Sequence, residues 1–225
     1  MPRLFLKFIA LTTLIFPVLS PSEQSAKLSA GSEIVLENEY ARISKMYFLP
    51  ESTSLTVTPD FPEIVLFLIG PVGGGEKQRG PDYFEFSSVH FANAKQTAKI
   101  PTPGGCDSVL KILIDLKSAP PFSLFEKDAV KLDTAHNKVL FENDRVRVVH
   151  VHFGLGEKGP VVDKRPRVII LLNDMHADVA RHEGDTPSPR DGKAGVIQWS
   201  LGGSQATMNR SETELDNVVV EIKGK

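Results

Sequence analysis

The chain has 225 residues, 41% hydrophobic and 24% charged, an ordinary globular composition with length enough to bury a core. Its 26 Lys and Arg against 28 Asp and Glu give a net charge of −2 with no basic stripe, which argues against a nucleic-acid partner. A single cysteine, Cys106, excludes an internal disulfide, and with it a small secreted scaffold stapled by bridges.

In chain order, the N-terminus reads as a targeting segment. Arg3 and Lys7 supply positive charge, "LFLKFIALTTLIFPVL" is apolar with one lysine near its start, and small and polar residues follow in "SPSEQSAKLSAGS". This is the layout of a secretory signal peptide over residues 1–26 and predicts export to a periplasmic or extracellular compartment. The apolar run is short for a span of about 20 residues, so membrane contact is expected only through this segment. Beyond it, 17 Gly and 16 Pro punctuate many short runs rich in valine and isoleucine, which predicts an all-β protein.

The rest of the chain repeats itself. "VLENEYARISKMYF" (Val35–Phe48) matches "LFENDRVRVVHVHF" (Leu140–Phe153), with Glu37-Asn38 on Glu142-Asn143 and Arg42 on Arg147. "PEIVLFLI" (Pro62–Ile69) matches "PRVIILLN" (Pro166–Asn173), and "ILIDLK" (Ile112–Lys117) matches "VVVEIK" (Val218–Lys223). Three blocks in one order at nearly constant spacing define two copies of one unit, residues 27–118 and 138–225, joined by a linker at 119–137. In each, the first block alternates as a half-buried strand, while the second is a continuous apolar run suited to a strand covered on both faces. Turn signals such as "GLGEKGP", "GPVGGG" and "PRDGKAG" separate the strands.

Three stretches invite a chemical reading. His150 and His152 stand at i and i+2 on one strand face, about 7 Å apart, but the repeat puts Lys45 and Tyr47 at the same places, which favours a structural or surface pair. His176, Asp178 and His182 in "HADVARHEGD" read as solvated hairpin charge. "GPVGGGEKQRG" lacks the Lys-Ser/Thr ending of a phosphate loop and reads as a hairpin loop.

These blocks resemble the cupin superfamily of small jelly-roll barrels. In the second unit "ENDRVRV" is similar to the opening strand, "GLGEKGP" to the Pro-Gly-Glu turn, "RPRVIILL" to the strand after the metal motif, and "GVIQWSLGGSQATMN" to the later motif. The resemblance covers both units and implies a bicupin, with two tandem cupin-like β-sandwich or jelly-roll barrels. It also implies where a metal would bind, through His-x-His, a following Glu and a distant His. Those positions fall near Asp163 and Arg165, with Gln205 at the distant histidine's place and Gln96 at its counterpart in the first unit. Neither unit keeps the ligand set, so no metal or cofactor is assigned and no catalytic residue is named. The expectation is an exported, non-catalytic protein that binds a small molecule or a partner. Its pocket would be formed by Gln205, Gln96, Arg165, Asp163, Trp199 and Asn209. The alternative is a metal-dependent cupin enzyme, a dioxygenase or isomerase, with an atypical site on His150 and His152. Pairing into a homodimer is compatible with either reading.

Overall fold

The structure, a computed structural model, describes residues 32–48, 54–73, 82–106, 108–121 and 126–224; the predicted signal segment and most of the Gly-rich loop lie outside them. The first repeat comprises β1 (Glu33–Glu37), β2 (Ala41–Phe48), β3 (Ser54–Val57), β4 (Glu63–Gly73), β5 (Asp82–Ala92), β6 (Ala98–Pro101) and β7 (Val109–Leu116). A one-turn helix α1 (Ala129–Leu132) follows. The second repeat comprises β8 (Asn137–Glu142), β9 (Val146–Phe153), β10 (Val162–Lys164), β11 (Arg167–Leu171), β12 (Met175–Ala180), β13 (Ser188–Gly192), β14 (Ile197–Ser200), β15 (Gly203–Asn209) and β16 (Leu215–Ile222).

Each repeat builds one large antiparallel sheet, in the orders β1-β2-β7-β4-β5 and β8-β9-β16-β11-β14. A smaller sheet lies against it, β3-β6 in the first repeat and β10-β15-β12-β13 in the second. The internal duplication extends to individual contacts. Asn38 Oδ1 accepts from the amides of Tyr40 and Ala41 at 2.8 and 2.9 Å, and Asn143 Oδ1 accepts from those of Arg145 and Val146, both at 2.9 Å. Lys117 Nζ donates to the Asn38 carbonyl at 2.8 Å, and Lys223 Nζ donates to the Asn143 carbonyl at 2.5 Å. In both repeats an Asx turn therefore reverses the chain between the first two strands, tied to the last strand by a lysine.

Period-2 alternation divides the apolar residues into three cores. One face of each large sheet looks into its own barrel. Val65, Phe67, Ile100 and Val109 fill the first barrel, with Cys106 packed against them. Val149, Val151, Phe153, Leu215 and Val219 line the second. The other faces meet each other. Ile43, Ile64, Leu66, Ile112 and Ile114 of the first repeat form one cluster with Val148, Val168, Ile170, Val218 and Val220 of the second, each 0% exposed. Burying one such side chain contributes about 1.5–3 kcal/mol, so the two barrels share the largest core. Tyr40 stacks on Trp199 across this contact with centroids 5.8 Å apart, and the Phe84 amide donates to the Leu172 carbonyl at 2.7 Å.

The barrels differ in one hairpin. In the first repeat β4 and β5 stay paired from Glu63↔Ala92 to Gly73↔Asp82, with irregular register past Phe67 and Ile69. In the second, the chain bends at 172–174 and again at 193–196, so that β12 and β13 leave the large sheet and join β15 in the small one. This widens the small sheet from two strands to four and leaves a hollow behind it.

Candidate functional site

That hollow is a cavity of about 620 Å³ inside the second barrel. Its apolar wall is Val149, Val151, Phe153, Ile169 and Val219, from the inward faces of β9, β11 and β16. Polar groups gather at one end, Lys164, Arg167, Ser200 and Glu221, with Gln198 further along and Asn217 four residues from Glu221 on β16, opposite Leu171. The rim carries Arg181, His182, Arg190 and Asp191, all exposed.

Strand register explains the convergence. Arg167 lies opposite Ser200 on β14 and opposite Glu221 on β16, so all three share the inward face. Arg167 is 4% exposed, yet among the described residues its Nη1 has no hydrogen-bond partner, and neither does the Asn217 Oδ1. A buried donor and a buried acceptor are both left open, each costing free energy unless a ligand or water meets it. Burial pushes the Arg167 guanidinium down to about 10. The Lys164 ammonium is pushed down to about 8, first by burial and then by the charge of Arg167. The nearby carboxylates are already engaged. Arg147, 6% exposed, donates Nε to Glu221 at 2.7 Å and both Nη groups to Asp128 at 2.9 Å. Asp128 also caps α1 by accepting from the Val130 amide at 3.0 Å, so the inter-repeat linker is clamped onto the end of the barrel. Among the described residues no carboxylate makes an ion pair with Lys164 or Arg167, and the polar end of the cavity presents cationic groups seeking an anion.

No protein-family profile matches the chain, and no curated protein sequence matches it. Solved structures do match. AerE from Microcystis aeruginosa is 11% identical, with a TM-score of 0.51 over 85% of this chain and 96% of that one. A cupin domain from Bordetella pertussis is 23% identical over 39% of this chain and 92% of its own, with a TM-score of 0.36. Vicilin from Corylus avellana, hazelnut, is 10% identical over 86% and 84%, with a TM-score of 0.42. The fold is a cupin-like jelly roll. This chain carries it twice, as the repeat implied.

The metal chemistry that the cupin resemblance implies does not fit this barrel. Lys164 and Arg167 stand where a cation would have to be drawn in, and the one histidine lining the cavity is His182 on the exposed rim. His150 and His152 are on the opposite face of β9. They pair with Val218 and Asp216 on β16, outside the cupin cavity.

The expected pocket residues separate. Gln205 lines the cavity from β15. Trp199 borders it, but its ring lies in the inter-barrel core against Tyr40, because β14 alternates and its neighbours Gln198 and Ser200 take the inward face. Asp163 is not a lining residue. It accepts from Ser204 Oγ at 2.6 Å and the Lys127 amide at 2.9 Å, which hold its carboxyl below the usual range. Arg165 lies 3.9 Å from both Asp128 and Glu221, outside the cavity wall. Asn209 is fully buried, and its amide donates to the carbonyls of Phe153, Gly154 and Thr213, pinning two loops. Gln96 is corrected outright: it is exposed in the turn before β6, since the first small sheet is too short to match β15. In the acidic hairpin, His176 pairs with Asp191 at 2.8 Å and Asp178 with Arg210 at 2.7 Å, and His182 falls beyond β12.

The residues that define the cavity's chemistry, Lys164, Arg167, Asn217 and Glu221, were not singled out from the sequence. A signal was present. "PRVIILLN" carries an arginine after its proline where its repeat "PEIVLFLI" has a glutamate. The equivalent pair in the first barrel is Glu63 facing Asp115, and in the second Arg167 facing Glu221. One position with opposite charges in two copies of a buried strand marks a difference in the chemistry of the two barrels.

Proposed function

We propose that this chain is an exported bicupin whose second barrel binds a small anionic molecule, a carboxylate or phosphate that also bears a hydrogen-bond donor, without catalysing a reaction. The observation that carries the reading is the Arg167 guanidinium, 4% exposed with Nη1 unpartnered inside the cavity. An anionic group would satisfy Arg167 and Lys164, a donor at the far end of the same molecule would meet the Asn217 Oδ1, and the aliphatic wall between them would take its carbon skeleton. Arg181 and Arg190 on the rim favour the approach of the same charge. The apolar N-terminal segment supports export.

The test is calorimetry and thermal shift with inorganic phosphate, citrate and gluconate as probes. At least one acid is expected to bind saturably and raise Tm, and Arg167→Met to abolish both effects. Binding should weaken as pH rises through about 8, where Lys164 loses its proton, and Lys164→Met should flatten that profile. Saturable binding that Arg167→Met leaves unchanged, or no response to any acid, would refute the proposal.

A further inference from the structure

On the outward face of the second barrel's large sheet, at the end of β9 and the start of β16, Asp216 meets His150 and His152, with Glu214 beside it. His150 Nε2 lies 2.7 Å from Asp216 Oδ1, and His152 Nδ1 lies 3.1 Å from the same oxygen. Donor atoms of His152, Glu214 and Asp216 all lie within 4.8 Å of one another. We propose that these residues form a divalent transition-metal site, of the zinc class, separate from the anion cavity and on the other side of the sheet.

The argument is geometric. A tetrahedral zinc site uses imidazole nitrogens at about 2.0–2.1 Å and carboxylate oxygens at about 2.0–2.2 Å, which sets ligand atoms a little over 3 Å apart. Asp216 Oδ1 already stands at about this distance from a nitrogen of each histidine, and donor atoms of His152, Glu214 and Asp216 fall within 4.8 Å of one another. The His-x-His spacing on a strand puts both rings on one face, and register brings Asp216 directly opposite His152. The backbone bearing the carboxylates is held rigidly. Asn173, 1% exposed, accepts from the Asp216 amide at 3.0 Å and donates to the Glu214 carbonyl. The rings remain reachable, with His150 31% and His152 40% exposed, so an ion can enter from solvent. One carboxylate oxygen shared by two imidazoles is the arrangement a bound cation would replace: the ion takes the ring nitrogens and that oxygen, and the ring protons leave to solvent. Lys138 opposite His150 on β8 is the one cation on that face from the paired strand, and its exposed side chain can turn away.

The test uses the full chain titrated with zinc chloride by calorimetry, and with cobalt(II) by its visible absorption. The expected result is one ion per chain, with a rise in Tm because the ion ties β9 to β16. His150→Ala and His152→Ala should each weaken binding by about tenfold or more, and the double variant should abolish it. His176→Ala, in the exposed hairpin, and Arg167→Met, in the cavity, should bind as the parent does, so this site and the anion cavity stand or fall separately. Absence of saturable binding in the folded parent, or equal binding by the double variant, would overturn the proposal.

Discussion

Individual side chains carry unusual electrostatic weight here. Arg147 neutralises Asp128 and Glu221 together, all three 8% exposed or less. Removing one partner of a buried ion network leaves uncompensated charge and costs about 3–5 kcal/mol. Arg147→Met should therefore lower the urea midpoint by that equivalent with the slope unchanged. Glu63 behaves oppositely. Burial, and then the charge of Asp115 facing it, pushes its carboxyl up to about 7. Its proton is held more tightly in the folded state, so stability is fully present below the ordinary Glu range and declines as pH rises through about 7. Glu63→Gln should remove that decline and leave the protein more stable at pH 8 by on the order of 2–3 kcal/mol, read from urea melts at pH 4 and pH 8. A parallel loss in both proteins would contradict the assignment.

Single elements decide which barrel is hollow. The β4–β5 hairpin stays paired within the large sheet, whereas its counterpart folds over and closes the cavity wall with β12 and β13. The tight β14–β15 turn beside the polar end depends on Gly202. Its φ is +87°, and a Cβ there would clash with the Lys164 carbonyl oxygen, a backbone atom that cannot turn aside. Gly202→Ala should cost at least about 2 kcal/mol and displace Lys164, weakening anion binding. Gly203, with φ +106° but open space around it, should cost only about 1 kcal/mol on the same change. Thermal melts of the two variants make the comparison, and equal losses would rule out the backbone clash as the cause.

At the scale of the whole molecule the two repeats are halves of one core. Residues 126–225 expressed alone would expose the face formed by Val146, Val148, Val168, Ile170, Val218, Val220 and Ile222. Such a patch drives association, so the isolated half should precipitate or self-associate in sedimentation experiments. A well-folded monomer would argue that the inter-barrel core is dispensable.

Much of this was legible before any coordinates. Alternating and continuous apolar runs, turn residues and the duplication at Glu37-Asn38 and Glu142-Asn143 specify two similar β units, because side-chain period and turn chemistry are local properties of the chain. The sequence alone also showed that His150 and His152 share a face. It could not show which face, since alternation distinguishes two sides of a strand without saying which one closes into a barrel. That assignment needed the pairing of β9 with β16, which sends the histidines outward to Asp216 and Arg147 inward to Glu221. The cavity likewise arose only in three dimensions. Lys164, Arg167 and Asn217 come from separate strands, and only register and the folded-over hairpin set them around one shared hollow.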